Sequence, residues 1–295
     1  MNFNEYLNLM VEKTEKALID YLPNIATYPA VIHEAMHYSI CSGGKRIRPV
    51  LLLATYESLG GKIDEVLPFA CSIECVHSYS LIHDDLPAMD NDNYRRGKLT
   101  SHKVFGEANA ILAGDGLLTF AFELMVKEGV SFFNDKKVLE CVCILAQAAG
   151  TRGMIGGQVV DIAGENTTVD IQTLNYIHTH KTGKLLICPV KMACILGDAE
   201  PENTENLLIF ASYLGLAFQM QDDILDIEST KDVLGKPIGS DKKNNKATYP
   251  AIMGMEQTKK MLNQTWQKAE QALKKCKLEN DRLLELLNYI KNRMY

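Results

Sequence analysis

The chain has 295 residues, of which 46% are hydrophobic and 23% charged, and its formal net charge at pH 7 is −6. This balance is typical of a folded globular protein and excludes an intrinsically disordered chain. The acidic charge is unlike the basic footprint of a nucleic-acid binder, so we expect no nucleic-acid partner. An anionic substrate would therefore have to be held by local cations or by metal ions.

Targeting segments are not predicted. Residues 1–21 contain four carboxylates and no apolar run of the kind that signal peptides carry. No apolar stretch approaches the ~20 residues needed to cross a bilayer. The closest one, residues 110–126, is interrupted by Asp115 and Glu123. We therefore expect a cytoplasmic protein without a membrane span.

Apolar residues recur at three- and four-residue spacing along nearly the whole chain, which is typical of α-helices. The first stripe comprises Tyr6, Leu9, Met10, Ala17 and Leu18. Further helices are predicted, in chain order, over residues 64–83, 108–126, 137–150, 205–227 and 257–275. Strand-like alternation is absent from the sequence, and turn residues separate the helices. The sequence predicts an all-α protein with one domain over residues 1–295, whose core helices are apolar on most sides.

A first cluster of aspartates follows the helix predicted over residues 64–83. Asp84, Asp85, Asp90 and Asp92 lie within nine residues, and Pro87 cannot continue the helix. The chain must bend there, which could return Asp90 toward Asp84. Clustered carboxylates repel by ~1 kcal/mol per pair at 4 Å even in water, and Mg²⁺ relieves that repulsion. The alternative is a solvated acidic turn.

A second cluster lies inside the apolar stretch 214–227. Asp222 and Asp226 are four residues apart and so share a helix face, with Asp223 beside them. A solvated helix face would have more polar neighbours than this one has. The pattern therefore favours a second carboxylate site.

Basic residues accompany both clusters. They are the segment 43–49 (GGKRIRP), Arg95 and Arg96 after the first cluster, Lys181 and Lys184, and Lys236. Lys236 falls in residues 232–245, a stretch rich in Gly, Lys and Asp that we predict to be a mobile lid. Any one such cation is more often a solvated surface charge. Together with the aspartates, they suit a diphosphate bridged by magnesium and clamped by Lys and Arg.

Two other metal patterns are present. His33, Glu34 and His37 satisfy the zinc-protease pattern H-E-x-x-H, but the third histidine of its extended form is missing. The pair of E-x-x-H segments ending at His37 and His77 fits a di-iron helical bundle. Neither alternative explains the aspartates and the Lys/Arg groups, so both are minor.

These residues resemble the polyprenyl synthetases, and within that family the bacterial farnesyl diphosphate synthases. The resemblance covers nearly the whole chain through residues 43–49, 74–97, 105–108, 112–115, 157–158, 181–183, 219–226 and 234–241. It implies a helical bundle of the isoprenoid synthase type with a central active-site cavity. It also implies three Mg²⁺ ions per active site, diphosphate substrates and a homodimer.

In this family an allylic diphosphate ionises, the double bond of isopentenyl diphosphate attacks the cation, and a proton is lost. The resemblance assigns Asp84, Asp90 and Asp222 as Mg²⁺ ligands, with Asp85 and Asp226 supporting them. It assigns the allylic diphosphate to Arg95, Lys181, Thr182, Gln219 and Lys236. It assigns isopentenyl diphosphate to Lys45, Arg48, His77 and Arg96.

Product length is expected to depend on the residue five positions before the first aspartate. Here that residue is Tyr79, which has a bulky side chain, and Ser80 follows it. The segment between Asp85 and Asp90 is also two residues longer than in related enzymes with a shorter spacing. Both features resemble the farnesyl (C15) type. Left open are a geranyl (C10) or geranylgeranyl (C20) diphosphate synthase and a subunit of a heteromeric synthase. The isopentenyl residues disfavour a terpene cyclase.

Two positions depart from the family pattern. His37 stands where we expect Arg, and Asn93 stands where Asp is common. Neither is an assigned ligand, so the expected function is unaffected.

Overall fold

A computed structural model describes residues 1–165, 167–228 and 247–292. Residues 232–245, predicted to form a lid, lie outside the described residues, and so does Lys236 among them. The described chain is helical nearly throughout, which confirms the predicted all-α class.

The first seven helices are α1 (Phe3–Tyr21), α2 (Ala30–Ile40), α3 (Ile47–Ser58), α4 (Ile63–Asp84), α5 (Ser101–Phe105), α6 (Glu107–Gly129) and α7 (Asp135–Ala149). They are followed by α8 (Met154–Gly164), α9 (Ile171–Ile177), a π-helix π1 (His178–Gly183), α10 (Lys184–Leu196) and α11 (Pro201–Glu228). The last three are α12 (Tyr249–Met253), α13 (Met255–Lys274) and α14 (Arg282–Lys291).

The chain divides into two compact units. The first comprises Met1–Leu53 and Lys62–Val142, and the second comprises Ala54–Gly61 and Cys143–Tyr295. The prediction of a single domain with a central cavity stays a prediction.

The core of the first unit is the packing of α4 against α6. Phe69, Ile73 and Val76 of α4 are fully buried, as expected for a helix that is apolar on most sides. At the C-terminal end of α4, the His83 ring lies against Gly114 of α6, where an added Cβ would come within 2.2 Å of the His83 Nε2. Gly114 thus allows α6 to approach the end of α4 that carries Asp84.

A short hairpin was not predicted from the sequence. Strands β1 (Tyr94–Arg95) and β2 (Lys98–Leu99) pair antiparallel, and the two residues between them, Arg96 and Gly97, have φ of 53° and 77°. Positive φ at both central residues is what a tight two-residue hairpin turn requires. Strands this short leave no alternating pattern to detect.

In the second unit, α11 packs against α13 and α10, and π1 packs against α8 and α11. Leu174, Met220 and Tyr249 form a buried cluster that joins α9, α11 and α12. This cluster fixes the start of α12 against α11.

Helix boundaries agree with the predictions to within a few residues, and α4 ends at Asp84 as the proline predicted. Of the apolar stripe predicted for α1, Tyr6, Met10, Ala17 and Leu18 are buried, but Leu9 is 38% exposed. The prediction for Leu9 was wrong because the buried face of this helix includes Leu7 in its place.

Two described stretches, Glu107–Gly129 and Asp135–Gly164, are long and apolar enough to cross a membrane by length and composition alone. Of their most apolar windows, 44% and 39% are buried inside the folded chain. Core helices of soluble proteins pass the same test, so these stretches are weak evidence for a membrane span.

Candidate active site

The chain turns back on itself after α4. The backbone N–H of Asp90 donates to the carbonyl of Asp84 at 2.9 Å, and those of Met89 and Asn91 donate to Leu86. This bend was predicted from Pro87, and it brings the backbones of Asp84 and Asp90 together. Both aspartates are half-buried, so two carboxylates are presented from one turn.

Asp85 has a different environment from Asp84 and Asp90. It is 3% exposed, and the Arg95 Nε donates to its two carboxylate oxygens at 2.8 and 2.9 Å. A planar guanidinium that binds both oxygens fixes the carboxylate more firmly than a lysine could. Arg95, predicted to hold the allylic diphosphate, is therefore itself positioned by Asp85.

Arg96 sits in the turn of the hairpin and reaches the glycine pair of residues 43–49. Its Nη1 donates to the carbonyl of Gly43, and a Cβ on Gly44 would lie 2.5 Å from the guanidinium carbon. Gly43 and Gly44 have φ of 80° and 131°, which L side chains rarely adopt. The backbone conformation thus favours glycine at both positions, and the approach of Arg96 requires it at Gly44.

His77 lies among the arginines assigned to isopentenyl diphosphate. Desolvation, followed by the positive charges of Arg48 and Arg96, holds the pKa of His77 well below its usual range. The charges of Arg48 and Arg96 thus act on His77. The fourth predicted isopentenyl residue, Lys45, is exposed on the same segment as Arg48.

Arg46 was counted among the cations of this segment, but it is a structural residue. It is 3% exposed, and its guanidinium donates to the Glu74 carboxylate at 2.6 Å and to the Ile40 carbonyl. A buried pair of this kind is costly to break because one charge would remain uncompensated. It ties residues 43–49 to α4, one turn before His77.

The second aspartate cluster lies on α11. Asp222 and Asp226 are half-buried, whereas Asp223 is 3% exposed. The Asp223 carboxylate accepts the backbone N–H of Tyr249 at 2.9 Å and lies 3.6 Å from the His178 Nε2. Asp223 therefore anchors α12 and π1 to α11, a role for which the sequence held no signal.

Lys181 and Thr182 belong to π1, a wider helical turn than an α-helix and one often found at functional sites. The Lys181 Nζ donates to the Asp161 carboxylate of α8 at 2.7 Å. The Thr182 hydroxyl donates to the Gln219 side-chain oxygen at 2.8 Å, which joins two predicted allylic residues. Asp161 was missed because it stands alone between apolar residues.

Two glycines allow π1 to pack this closely. An added Cβ on Gly157 would lie 2.2 Å from the backbone nitrogen of Lys181. One on Gly215 of α11 would lie 3.2 Å from the Cα of Gly183. Gly157, in the family segment 157–158, thus allows α8 to pack closely against the backbone of Lys181.

Tyr79 and Ser80, the predicted chain-length residues, lie one turn before Asp84. Tyr79 is 4% exposed and its ring packs edge-on against His83 at 5.7 Å between centroids. Burial, followed by the charge of Asp84, raises the pKa of Tyr79 to about 12. The Ser80 hydroxyl donates to the His77 carbonyl, so this serine is held by its own helix.

The carboxylates suit Mg²⁺, which prefers oxygen ligands and is commonly held by one or two carboxylates plus substrate phosphates and water. Among the described residues, no three His, Cys, Asp or Glu side chains are grouped closely enough to hold an ion. The pairing of Asp84 with Asp90 fits a metal that is completed by substrate. The zinc pattern does not fit, because among the described residues no third His, Cys, Asp or Glu side chain is grouped with His33 and His37.

Comparisons with known proteins identify the family. A family model described as polyprenyl synthetase matches residues 29–285. The farnesyl diphosphate synthase of Geobacillus stearothermophilus is 50% identical over 262 residues, covering 89% of this chain and 88% of that protein. The geranylgeranyl diphosphate synthase of Cyanophora paradoxa is 41% identical over 295 residues, covering 99% and 97%.

A solved structure supports the fold independently. The geranyltransferase of Helicobacter pylori, complexed with magnesium and isoprenyl diphosphate, matches with a TM-score of 0.86 and 31% identity. The match covers 99% of this chain and 97% of that one. The family predicted from the sequence is confirmed: the chain belongs to the polyprenyl synthetase family.

Proposed function

We propose that this chain is a farnesyl diphosphate synthase. It condenses isopentenyl diphosphate first with dimethylallyl diphosphate and then with geranyl diphosphate. The 50% identity to a farnesyl diphosphate synthase over most of both chains supports this function. The observation that carries it is the turn that returns Asp90 to Asp84 beside the Asp85–Arg95 pair.

Asp84, Asp90 and Asp222 are proposed to hold Mg²⁺, with Asp85 and Asp226 supporting them. Mg²⁺ is proposed because the donors are carboxylate oxygens and because the Helicobacter pylori structure contains magnesium. When bound, the metal supplies Lewis-acid stabilisation of the charge that develops on the leaving diphosphate. Three ions per site remain an expectation from the family.

Arg95, Lys181, Thr182 and Gln219 are proposed to bind and orient the allylic diphosphate. Lys181 and Arg95 each donate a hydrogen bond to a carboxylate, of Asp161 and Asp85, which fixes the position of each cation. The hydrogen bond between Thr182 and Gln219 likewise fixes the positions of two polar side chains that are proposed to bind the diphosphate. Such pre-positioned charges stabilise a leaving group without reorganisation at the moment of reaction. Lys236 is assigned to the same diphosphate but lies outside the described residues.

Lys45, Arg48, His77 and Arg96 are proposed to bind isopentenyl diphosphate. Because the pKa of His77 is held low, its ring is neutral at pH 7 and contributes a hydrogen bond rather than a charge. The arginines and Lys45 supply the positive charge. Because the His77 ring is uncharged, the neighbouring cations do not repel it.

In the reaction, the carbon–oxygen bond of the allylic substrate breaks and the diphosphate leaves with the electron pair. The double bond of isopentenyl diphosphate then attacks the allylic cation, and a proton is lost to the departed diphosphate. No side chain is assigned as nucleophile or base. The chain contributes cations that hold both diphosphates and apolar walls that keep water from the cation.

Product length is proposed to be C15, with Tyr79 and Ser80 limiting the growing chain. The alternative is a C20 product, with which the 41% identity to a geranylgeranyl diphosphate synthase is consistent. A C10 product or a role as a subunit of a heteromeric synthase is less well supported. A homodimer, a cytoplasmic location and the absence of a membrane span remain proposals.

The test is a product-length assay with isopentenyl and dimethylallyl diphosphate, with and without Mg²⁺. A Mg²⁺-dependent C15 product supports the proposal as a whole. A C10 or C20 product keeps the reaction and overturns the assignment of Tyr79. No condensation by the chain alone would point to a missing partner subunit.

A further inference from the structure

A cavity of about 230 Å³ lies in the second unit, between α7 and α10. Its apolar lining includes Ile144 and Ala148 of α7 and Ile187 of α10. Since a water molecule takes ~30 Å³ in the liquid, the cavity has room for several waters or a small ligand. None of the residues assigned to the reaction lines it.

The charges around this cavity have one sign. Arg152, in the turn after α7, and Lys184 and Lys191 of α10 all line it, together with Gln147, and no Asp or Glu of the described chain does. Among the described residues, none of these three cations forms an ion pair or a side-chain hydrogen bond. By contrast, Lys181, only three residues from Lys184, is paired with Asp161. Three uncompensated cations around one concavity are unusual in a chain of net charge −6.

Helix geometry explains why the cations converge. Lys184, Ile187 and Lys191 recur at three- and four-residue spacing and so lie along one face of α10. Lys184 and Lys191 are seven residues apart, or about 10 Å along the helix axis. Arg152 supplies the third charge from the turn after α7. The cations therefore line the cleft from both α10 and this turn, beside its apolar residues.

We propose that this cleft, formed by Arg152, Lys184, Lys191 and the apolar residues between them, binds a polyanion of the phosphate class. The cations are spread along a helix face, so the anion should carry negative charge at two ends. Inorganic diphosphate is the smallest phosphate anion that does so. Guanidinium and ammonium groups are the protein's usual ligands for phosphate oxygens. The inference does not depend on the proposed function, because none of the residues to which that function assigns a substrate or Mg²⁺ lines the cleft.

The test is a titration of the full chain, with isoleucine δ1-methyl groups isotopically labelled, by inorganic diphosphate and separately by inorganic phosphate. Mg²⁺ is omitted and ionic strength is held constant with NaCl. Ile144 and Ile187 report the cleft, and their signals are assigned by replacing each with valine. We expect saturable shifts of both signals, with diphosphate binding more tightly than phosphate.

The Arg152→Gln/Lys191→Gln variant should weaken this binding by about tenfold or more, because each charged contact contributes strongly to affinity. Both side chains are exposed, so the variant is expected to fold, which its circular dichroism checks. Lys260→Gln, an exposed lysine of the same unit, is the matched control and should bind as the wild type does. Absent or non-saturable shifts, or unchanged affinity in the double variant, would overturn the proposal.

Discussion

Arg95 and Asp85 form a largely buried ion pair in which the Arg95 Nε donates to both carboxylate oxygens, at 2.8 and 2.9 Å, and the Nη2 donates to one of them. Arg95 thus fixes the position of Asp85 in the first unit. The neighbouring turn brings the backbone of Asp90 to Asp84, the two residues of this cluster that are proposed to hold Mg²⁺ directly.

Arg95→Gln should destabilise the protein as well as impair activity. It would leave the Asp85 carboxylate, 3% exposed, without its cation, and an uncompensated charge at a buried site costs roughly 3 kcal/mol. Urea unfolding of the wild type and the variant measures the change. Lys98→Gln, an exposed residue of the same hairpin, is the control and should change the unfolding free energy little. Equal stability of Arg95→Gln and the wild type would contradict a structural role for the pair.

His77 should make stability depend on pH. Its folded-state pKa lies well below the unfolded value of ~6.5, so the unfolded chain binds the extra proton first as pH falls. The free energy of unfolding should therefore decrease from about pH 7 downward, by at most ~1.4 kcal/mol per pH unit from this group. In His77→Gln that part of the slope should vanish. Urea unfolding between about pH 7.5 and 5 tests this, and identical slopes in both proteins would refute it.

Asp84→Asn and Asp222→Asn should each reduce kcat by about 10²-fold or more, because each removes a charge proposed to hold Mg²⁺. Steady-state assays over a range of Mg²⁺ concentrations measure the loss and any rise in the Mg²⁺ requirement. Asp64→Asn removes a carboxylate whose side chain is 72% exposed and should leave kcat unchanged. Near-wild-type turnover in either of the first two variants would remove that residue from the ligands.

Tyr79→Ala should lengthen the product beyond C15, because it removes a large buried ring one turn before Asp84. Chromatography of the dephosphorylated products measures their length. Tyr79→Phe keeps the ring, and the hydroxyl that it removes has no hydrogen-bond partner among the described residues, so its product should stay C15. A C15 product from Tyr79→Ala would show that another residue limits the chain.

Gly157→Ala should raise the KM for the allylic substrate and lower stability. The added methyl group would lie 2.2 Å from the backbone nitrogen of Lys181, so π1 would have to move away from α8. Gly164→Ala, in the same helix, places its methyl group 3.1 Å from only the Val169 side chain and is the milder control. If the two variants have the same KM, the close approach at Gly157 does not position Lys181.

The sequence predicted the features that depend on helical periodicity and on proline. The span of α4, its end at Asp84 and the turn back to Asp90 follow from an apolar helix that meets Pro87. The sequence could not show which carboxylates are already paired. Asp85 with Arg95 and Lys181 with Asp161 are contacts between side chains ten and twenty residues apart, which no local pattern encodes.

Other contacts were missed for the same reason. The anchoring of Tyr249 by Asp223 spans 26 residues, and Asp223 looks like any other member of its cluster. The hairpin after the first cluster depends on only two strand residues a side and on positive φ at Arg96. A non-glycine residue with positive φ gives little local signal, because only the fold as a whole imposes it.

The two-residue turn between β1 and β2 also determines which partner each of two neighbouring guanidinium groups reaches. Arg95 turns toward the Asp85 carboxylate and Arg96 toward the Gly43 carbonyl, although only one peptide bond separates them. Arg96 and Gly97 both have positive φ, so an inserted or deleted residue would remove this turn geometry and displace Arg96 from the Gly43 carbonyl. The number of residues in the hairpin therefore matters more than their identity. The segment 94–99 should tolerate substitutions far better than insertions or deletions.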